Sequence, residues 1–452
     1  MLASTPFANA ADVYNWLSTF INLEKGRQQW NFSLDVMNRL AEIAGHPEKC
    51  APAFHVAGSK GKGSVTGMIA AILEAAGIKT ARYASPHVSD FRERITIGSN
   101  FFGEKIYVRA GKELMELTGQ VKLKNGEQMS YFELFTMWFF LCARLSNCGV
   151  MAVETGMGGR LDATNILDPL VSVITIIELE HTEYLGNTIA EIAAEKAGII
   201  KQNRPLILAE QSVQALEVFR EHAERQSSPL FYFPDYGEVR NTRIEKSGTT
   251  FDLDLKSETI PGLFVPIPGE VQAKNAGLAA LAVKTAYPHL QNHCLYKGLN
   301  AFSLPARFEK ISSTPLFIVD GAHTKTSVKT CLDTFTSLYG KGGILLFGCA
   351  EGKDVLSMAE LCIPRFSWII ITKPGTFRKS NVEEIHDAFV QSAKTQKAHP
   401  EIIFLPDTKK AIDLAIRLAV KHGLPVLGTG SFYLAGEIRG NVKNGLFTTN
   451  QH

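Results

Sequence analysis

Residues 55–64 read H-V-A-G-S-K-G-K-G-S and carry the clearest structural signal in the chain. The apolar run Ala53 to Ala57 leads into this glycine-rich turn, and Val65 to Ala76 then places apolar residues at helical spacing. A strand, a glycine-rich turn and a helix in this order are typical of a phosphate-binding loop, whose backbone N–H groups surround phosphate oxygens. Lys62 can reach the terminal phosphates of a nucleotide, and Ser64 can bind magnesium.

We therefore predict nucleotide binding by the phosphate loop, which consists of Gly58, Ser59, Lys60, Gly61, Lys62, Gly63 and Ser64. Its spacing departs from the usual Walker A pattern, because two residues rather than four separate the first glycine from the Gly-Lys pair. The alternative is a flexible turn that binds nothing. The strand before the loop and the helix after it favour the nucleotide site.

Apolar runs of strand length alternate with amphipathic segments of helix length along nearly the whole chain, which is typical of parallel α/β sheets. Further strands are predicted in the first part at Val150 to Val153, Leu170 to Ile177 and Pro205 to Ala209. From Tyr232 to Pro268, polar and aromatic alternation predicts antiparallel hairpins on the rim of the first sheet. A second series of about five strands begins at Leu316, after a boundary that we place near residue 303, so we predict two domains, 1–302 and 303–452.

A carboxylate and an imidazole follow two of these predicted strands. Glu154 ends the strand at 150–153, and His181 lies just beyond the strand at 170–177. The carboxyl ends of parallel strands meet at one edge of a sheet, which places both residues near the phosphate loop. We predict that Ser64, Glu154 and His181 bind magnesium, although histidine is an unusual magnesium ligand. The alternative is that each side chain only satisfies backbone groups.

Other candidates lie near the predicted cleft between the domains. Asp320 and His323 follow the first predicted strand of the second domain, and Arg307 lies in the connection before it. Arg307 can clamp a phosphate, and the alternative is an arginine that is only solvated. The alternative for Asp320 and His323 is that they form a turn, with Asp320 capping the next helix. Lys196 stands near a helix end, where a solvated lysine is the ordinary case.

The composition is that of an ordinary globular protein. The chain has 452 residues, of which 45% are hydrophobic, and 47 Lys and Arg residues nearly balance 45 Asp and Glu residues. This balance gives no electrostatic reason to expect a nucleic-acid or membrane partner. Seven scattered cysteines without a C-x-x-C pair indicate neither a disulfide framework nor a zinc site, and fit a reducing compartment. Because residues 1–22 do not show the basic segment followed by an apolar segment that is typical of a secretory signal, we expect a cytosolic protein.

Eight further motifs stand in order along nearly the whole chain. They are Y-A-S-P-H (83–87), F-R-E-R-I (91–95), E-T-G-M-G-G-R-L-D-A-T-N (154–165), E-H-T-E-Y-L-G (180–186), E-K-A-G-I-I-K (195–201), P-A-R-F-E (305–309), D-G-A-H (320–323) and G-S-F-Y-L-A-G-E-I-R (430–439). Together with the phosphate loop they resemble the folylpolyglutamate synthase and dihydrofolate synthase family, within the Mur-type ATP-dependent amide ligases. The resemblance implies a phosphate-loop ATPase domain with a mostly parallel sheet, then a smaller Rossmann-like domain, with the active site in the cleft between them.

The resemblance also implies roles for individual residues. Ser64, Glu154 and His181 would hold magnesium, and Lys196 matches a lysine that is carbamylated to give an extra carboxylate-like group. A carbamylated lysine would add the negative oxygen ligand that a second magnesium ion prefers.

The remaining implied contacts concern nucleotide and substrates. Asn275 would lie near the adenine, Arg307 on the phosphates and Asp320 near the ribose, while His323 and Ser431 match positions for glutamate binding and catalysis. In bifunctional relatives the loop that contains Asp162 contributes to a pterin site. The predicted catalytic residues are then Lys62, Lys196, Arg307 and His323.

The implied activity is ATP-dependent addition of glutamate to a reduced folate through an acyl phosphate, with dihydropteroate an open second substrate. ATP and two magnesium ions are the implied cofactors, a monovalent cation is left open, and a monomer with small-molecule substrates is expected. Three positions depart from the family pattern: Ser59-Lys60 replaces Thr-Asn, Glu180 replaces Asp, and Thr324 replaces Asn. They concern the finer nucleotide and glutamate contacts.

Two alternatives compete with this activity. A Mur ligase acting on a UDP-linked cell-wall precursor normally carries a UDP-binding domain ahead of the phosphate loop, and the residues before Gly58 are too few to hold one. The other alternative is a binding protein that is gated by a nucleotide and catalyses no ligation. This alternative does not explain the candidate residues that the second domain places at the cleft. ATP turnover that depends on substrate would separate that protein from both ligases.

Overall fold

The computed structural model describes residues 7–22, 32–124, 126–375 and 379–443. Within these ranges it contains an eight-stranded, a three-stranded and a six-stranded sheet, and the two large sheets are mostly parallel. No helix in these ranges is long and apolar enough to cross a membrane. This two-domain α/β architecture confirms the predicted fold class.

The first sheet places the phosphate loop at a topological switch point. Its strands are β1 (Ala53–Ala57), β2 (Thr80–Tyr83), β3 (Ile95–Ile97), β4 (Asn100–Phe101), β5 (Val150–Glu154), β6 (Val171–Ile174), β7 (Leu206–Leu208) and β8 (Leu230–Tyr232). Their order is β4-β3-β2-β5-β1-β6-β7-β8, and β3 alone runs antiparallel to its two neighbours, β2 and β4. Because β1 lies between β5 and β6, its carboxyl end opens into the crevice where ligands bind in such sheets.

Helices cover both faces of this sheet. They are α1 (Ala10–Leu17), α2 (Asp35–Ile43), α3 (Lys62–Ala75), α4 (Glu104–Gln120), α5 (Tyr131–Leu145), α6 (Thr182–Leu185), α7 (Ile189–Ala197), α8 (Val213–Arg225), α9 (Phe233–Tyr236), α10 (Glu270–Ala286) and α11 (Asn292–Ala301). Alternate residues of β5 enter different cores: Ala152 belongs to the core that includes Ile69 of α3, and Val153 belongs to the core that includes Phe139 of α5. Burial on both faces explains the unbroken apolar runs in the sequence.

The predicted antiparallel hairpins form a sheet of their own. Strands β9 (Gly237–Glu245), β10 (Gly248–Leu255) and β11 (Glu258–Val265) pair in the order β11-β10-β9. They do not lie on the rim of the first sheet, as predicted, but pack on α10. The physical reason is that the apolar side chains Phe251 and Leu253 need a face to bury against. Gly277 of α10 lets Leu253 approach so closely that a Cβ would lie 3.2 Å from its Cδ1.

The second domain contains the six-stranded sheet. Its strands are β12 (Glu309–Ser313), β13 (Leu316–Val319), β14 (Gly343–Phe347), β15 (Phe366–Ile371), β16 (Glu401–Phe404) and β17 (Val426–Thr429), and its helices are α12 (Lys325–Tyr339), α13 (Val355–Cys362), α14 (Val382–Gln396), α15 (Thr408–His422) and α16 (Phe432–Lys443). The order is β12-β13-β17-β14-β15-β16. Five strands match predicted ones, while β12, antiparallel to β13, was missed because this edge strand is polar and half-exposed. The division predicted at residue 303 falls in the connection between α11 and β12.

Candidate active site

The phosphate loop is pressed between the end of β6 and α10. A Cβ atom at Gly58 would lie 1.8 Å from Oγ1 of Thr175, and one at Gly61 would lie 2.7 Å from Oδ1 of Asn275. Both glycines also have positive φ angles, 143° and 89° respectively. Close approach and backbone conformation therefore both require glycine at these two positions. Asn275, predicted near the adenine, lies directly against the loop.

Hydrogen bonds fix the outer part of the loop. The N–H groups of Ser59 and Lys60 donate to the carbonyl oxygen of Ile176 at 2.9 and 3.4 Å, and Ser59 Oγ donates to the carbonyl of Glu178 at 3.0 Å. Gly61 is the N-cap residue of α3 and has no side chain to satisfy the first N–H groups of the helix. Those groups and the positive end of the helix dipole are left for an anion.

Two lysines add positive charge to the loop. Lys62 is the first residue of α3, and its Nζ donates to the carbonyl of Gly58 at 2.9 Å. Lys60 lies in the same cleft, where burial lowers its pKa against the opposing effect of Glu180 and Glu178. The ammonium of Lys62 is therefore folded over the loop, where it can meet terminal phosphates.

Glu154 brings a buried carboxylate to the loop. It ends β5, is 4% exposed, and its Oε2 accepts the N–H of Ser85 at 3.2 Å. The same Oε2 lies 3.3 Å from the position that a Cβ on Gly63 would occupy, next to buried Ser64. Burial raises the pKa of Glu154, and the charge of Lys62 opposes this shift.

The donor chemistry at this point fits magnesium. Magnesium binds through one or two carboxylates together with phosphate and water oxygens, and Ser64 and Glu154 offer such hard oxygen donors. His181 is the N-cap residue of α6 and lines the cleft, whose walls partly desolvate the ring, lower its pKa to about 4 and keep it neutral. Among the described residues, no three His, Cys, Asp or Glu side chains form a metal-binding group. The metal role of His181 therefore stays a prediction.

Lys196 lies beneath the phosphate loop. Its side chain is 1% exposed, and its Nζ donates to the carbonyl of Gly58 at 2.9 Å and to Oε1 of Glu180 at 3.0 Å. Burial lowers the pKa of Lys196 to about 8. Burial alone would raise the pKa of Glu180, but Lys62 and Lys196 together lower it to about 2. The solvated lysine of the alternative interpretation is therefore excluded.

Asp162 organises the loop that follows β5. Its Oδ2 accepts the N–H groups of Gly156 and Met157, both at 2.9 Å, and its Oδ1 accepts the N–H and hydroxyl of Thr164 at 3.1 and 2.5 Å. Burial raises its pKa, and these hydrogen bonds oppose the shift. The carboxylate is thus committed to its own loop, and the pterin contact implied by the resemblance stays a prediction.

This loop packs backbone against backbone on the segment that carries Lys196. A Cβ at Gly159 would lie 2.9 Å from the carbonyl oxygen of Lys196, and one at Gly198 would lie 2.4 Å from Cα of Arg160. Asn165 bridges the contact, because its Nδ2 donates to the carbonyls of Arg160 and Gly198 at 3.0 Å each. The position of Lys196 under the phosphate loop therefore depends on two glycines.

Gly198→Ala should lower the free energy of unfolding by about 1–3 kcal/mol, because the new methyl group overlaps backbone atoms that cannot rotate away. Gly198 has an ordinary helical φ of −60°, so the effect is steric. Urea unfolding followed by circular dichroism measures it. Gly119→Ala is the matched control: this helical glycine has nothing within 4 Å of its Cβ position and should gain about 0.5–1 kcal/mol. Equal stability of the two variants would contradict the packing described.

The second domain presents its candidates at the ends of two neighbouring strands. Asp320 and His323 follow β13, and Ser431 follows β17, which runs parallel beside β13. Phe432 connects them with the interdomain segment, because Cζ of Arg307 lies 4.3 Å from its ring centroid and the His323 ring lies at 5.5 Å. Two predicted residues, Arg307 and His323, thus meet at one aromatic ring, which directly follows Ser431 in the chain.

Asp320 holds the backbone around Arg307. Its Oδ2 accepts the N–H of Phe308 and its Oδ1 that of Ala322, both at 2.8 Å. The cap of α12 is instead Thr324, in a capping box with Ser327, so Asp320 is not the helix cap of the alternative interpretation. Burial raises the pKa of Asp320, and Arg307 opposes this. Its contact with a ribose stays a prediction.

His323 is held in one tautomer. Its Nδ1 lies 2.8 Å from the carbonyl oxygen of Gly321, so Nδ1 carries the proton and Nε2 keeps a lone pair. Burial lowers the pKa of His323 to about 3, which keeps the ring neutral. Ser431 is 4% exposed, and its Oγ accepts the N–H of Tyr433 at the start of α16.

One cleft of about 1830 Å³ joins these groups. Both domains line it, and its wall includes the predicted site residues Ser59, Lys60, Gly61, Lys62, Gly63, Ser64, Glu154, Asp162, His181, Asn275, Arg307, Asp320, His323 and Ser431. Gly58 and Lys196 lie behind the wall. Because a single small ligand occupies roughly 300–1,000 Å³, the cleft has room for more than one substrate.

Sequence reasoning missed Ser85, Thr324 as a helix cap and Phe432. Ser85 stands in the motif at 83–87, and its place beside Glu154 follows from the pairing of β2 with β5. The only sequence signal for Ser85 and Phe432 was their presence in motifs of the family.

Two family models match the chain: the Mur ligase middle domain over residues 56–283 and the Mur ligase glutamate ligase domain over residues 306–432. The dihydrofolate synthase/folylpolyglutamate synthase of Bacillus subtilis is 30% identical over 415 residues, which cover 90% of this chain and 94% of that protein. The chain belongs to this family of Mur ligases. The predicted family is thereby confirmed.

Solved structures of this Mur ligase family share the whole fold. Mycobacterium tuberculosis folylpolyglutamate synthase complexed with ADP has a TM-score of 0.87 at 27% identity, covering 98% of this chain and 99% of that one. A complex of FPGS with AMPPCP and folate has a TM-score of 0.79 at 27% identity, covering 95% and 98%. The two-domain arrangement around the cleft is therefore that of the family.

Proposed function

We propose that this protein is an ATP-dependent ligase that joins L-glutamate to the carboxylate of a reduced folate through an acyl phosphate. The observation that carries the proposal is the single cleft in which the phosphate loop of the first domain faces Arg307, His323 and Ser431 of the second. Relatives of this architecture are named folylpolyglutamate synthase and have been seen with ADP, or with AMPPCP and folate. The cleft volume suits three substrates.

The first step is phosphoryl transfer. An oxygen of the folate carboxylate attacks the γ-phosphorus of ATP, the bond to ADP breaks, and an acyl phosphate forms. Charge spreads over the phosphoryl oxygens, where the N–H groups at the start of α3 and the ammonium of Lys62 can stabilise it. Arg307 approaches from the second domain and adds a cation.

The second step forms the amide. The amine of glutamate attacks the acyl carbonyl, the bond from that carbon to the phosphate oxygen breaks, and the proton lost by the nitrogen leaves with the inorganic phosphate. The Nε2 lone pair of His323 can accept a hydrogen bond from that nitrogen, because the proton of the ring is held at Nδ1 by Gly321. Ser431, which precedes α16 and lines the same cleft, supports glutamate binding in this proposal.

Magnesium belongs to the same proposal. Ser64 and Glu154 would hold it, with His181 as a further ligand, and a bound ion would neutralise phosphate charge. Carbamylation of Lys196, which lies under the loop, would supply oxygen donors for a second ion. We also propose that the protein acts as a cytosolic monomer.

The proposed function is tested by measuring the release of phosphate from ATP in the presence of magnesium. The purified protein is assayed with glutamate plus tetrahydrofolate, glutamate plus dihydropteroate, and glutamate alone. We expect release that requires tetrahydrofolate, accompanied by a product one glutamate heavier by mass spectrometry. Added release with dihydropteroate would assign the second activity carried in the name of the Bacillus subtilis relative. If neither pterin raises turnover above glutamate alone, the folate assignment fails.

A further inference from the structure

One buried arginine of the second domain reaches into the first. Arg439 lies in α16 and is 8% exposed. Its Nε pairs with Glu309 of β12 at 2.8 Å, while its Nη1 contacts Oγ of Ser89 at 2.5 Å and Oε1 of Glu93 at 3.4 Å. A single guanidinium therefore bridges a carboxylate of its own domain and polar groups of the other. The proposed chemistry uses none of these residues.

Backbone packing fixes the same contact independently. One turn before Arg439, a Cβ at Gly436 would lie 2.2 Å from the carbonyl oxygen of Val88. Helix α16 therefore rests directly on the backbone of the segment after β2, with no side chain between them. Any larger residue at 436 would push the helix away from that segment.

The contacted segment leads to Glu154. Oε2 of Glu93 accepts the N–H groups of Val88 and Ser89 at 2.6 and 3.3 Å, which folds residues 88–93 into a compact turn. The segment begins at Ser85, whose N–H donates to Glu154 at 3.2 Å. Arg439 thus holds the turn at residues 88–93, and Ser85, three residues before that turn, holds the buried carboxylate of Glu154 beside the phosphate loop.

The other partner of Arg439 leads to Arg307. Oε2 of Glu309 also accepts the N–H of Ala306 at 2.9 Å. Ala306 and Phe308, on either side of Arg307, have left-handed φ angles of 53° and 44°, which are costly for residues other than glycine. Such a backbone persists only where its surroundings hold it, and Glu309 is one of the groups that do so.

We propose that Arg439 is the positioning residue of the domain junction, and that it sets Glu154 and Arg307 relative to each other across the cleft. The inference rests on the proposed function, since these two groups face the transferring phosphoryl group from opposite domains. The planar guanidinium suits the role because Nε and Nη1 point to different partners. Without it, the carboxylates of Glu93 and Glu309 lose their shared cation and repel.

Arg439→Gln tests the junction, with hydrogen exchange and steady-state kinetics as the two measurements. We expect faster exchange in residues 85–93 and 304–309, and a kcat roughly 10- to 100-fold lower, the scale on which a site loses activity when a residue that orients its functional groups is removed. ADP affinity should change less than kcat, because the phosphate loop itself is untouched. Arg439→Lys should recover part of kcat, since one ammonium can still meet one carboxylate.

Arg365→Gln is the matched control. Arg365 pairs with Asp333 at 2.9 Å wholly within the second domain, so its loss should leave exchange in residues 85–93 unchanged. Unchanged exchange and kcat in Arg439→Gln would overturn the proposal, as would equal changes in both variants, which would indicate general loosening. If the wild-type protein showed no ligase turnover, the proposed ligase function would be refuted. The comparison of hydrogen exchange, together with ADP affinity, would still test whether Arg439 holds the two domains in position.

Discussion

Lys62→Ala is expected to lower kcat for ATP-dependent ligation by about 1,000-fold. Removing one group that stabilises the charge of a transition state lowers the rate of an enzyme on this scale. Lys62 opens α3, and its ammonium lies 2.9 Å from the carbonyl of Gly58, folded over the phosphate loop. When phosphates enter, that ammonium can exchange the carbonyl for the γ-phosphate without a change in the backbone. Alanine keeps the helix and removes the cation.

Phosphate release with glutamate and tetrahydrofolate measures the effect, and ADP affinity measured by calorimetry separates binding from chemistry. We expect kcat to fall more than affinity, because the N–H groups of Gly61 to Ser64 still bind phosphate. Lys274→Ala is the control: this lysine also lines the cleft but is exposed and pairs with Glu270. A Lys62→Ala enzyme within tenfold of the wild-type rate would refute the placing of the phosphate loop.

The phosphate loop was predictable because its signal is local. Residues 53–76 contain the strand, the glycines and the helix in one stretch, and the structure has β1 and α3 in these places. Strands with apolar runs were found for the same reason. Strands β2, β3 and β4 were not, because polar residues such as Arg82, Thr96 and Asn100 interrupt their short apolar runs. Strand β8 was also missed, since it is only three residues long and half-buried.

Contacts between distant segments could not be predicted without the strand order. Ser85 meets Glu154 only because β2 pairs with β5, which places their carboxyl ends side by side. Asp162 is a second example. The sequence shows an acidic residue in a family motif, but it does not show that both carboxylate oxygens of this residue accept hydrogen bonds from their own loop. Arg439 likewise ends the family motif at residues 430–439, and only the packing of α16 on the first domain gives it a role.

Lys196→Ala should lower kcat by about 100- to 1,000-fold, whichever form of the lysine is active. The side chain is 1% exposed and joins Gly58 of the phosphate loop to Glu180. Alanine removes both hydrogen bonds, leaves the carboxylate of Glu180 facing the loop without its partner, and opens a space the size of the lost side chain. The same assay of phosphate release measures the loss.

Small molecules that enter this space can distinguish the two forms of Lys196. If a carbamate is active, the missing group is an anionic oxygen donor, and acetate or propionate should restore turnover to the variant. If the ammonium is active, the missing group is a cation beside Glu180 and Gly58, and a small primary amine should restore it instead. Lys284→Ala, which removes a lysine paired with Glu258 outside the cleft, should show neither loss nor rescue. Full activity of Lys196→Ala without any additive would remove the residue from the mechanism, because a group that couples the phosphate loop to Glu180 cannot be lost at no cost to turnover.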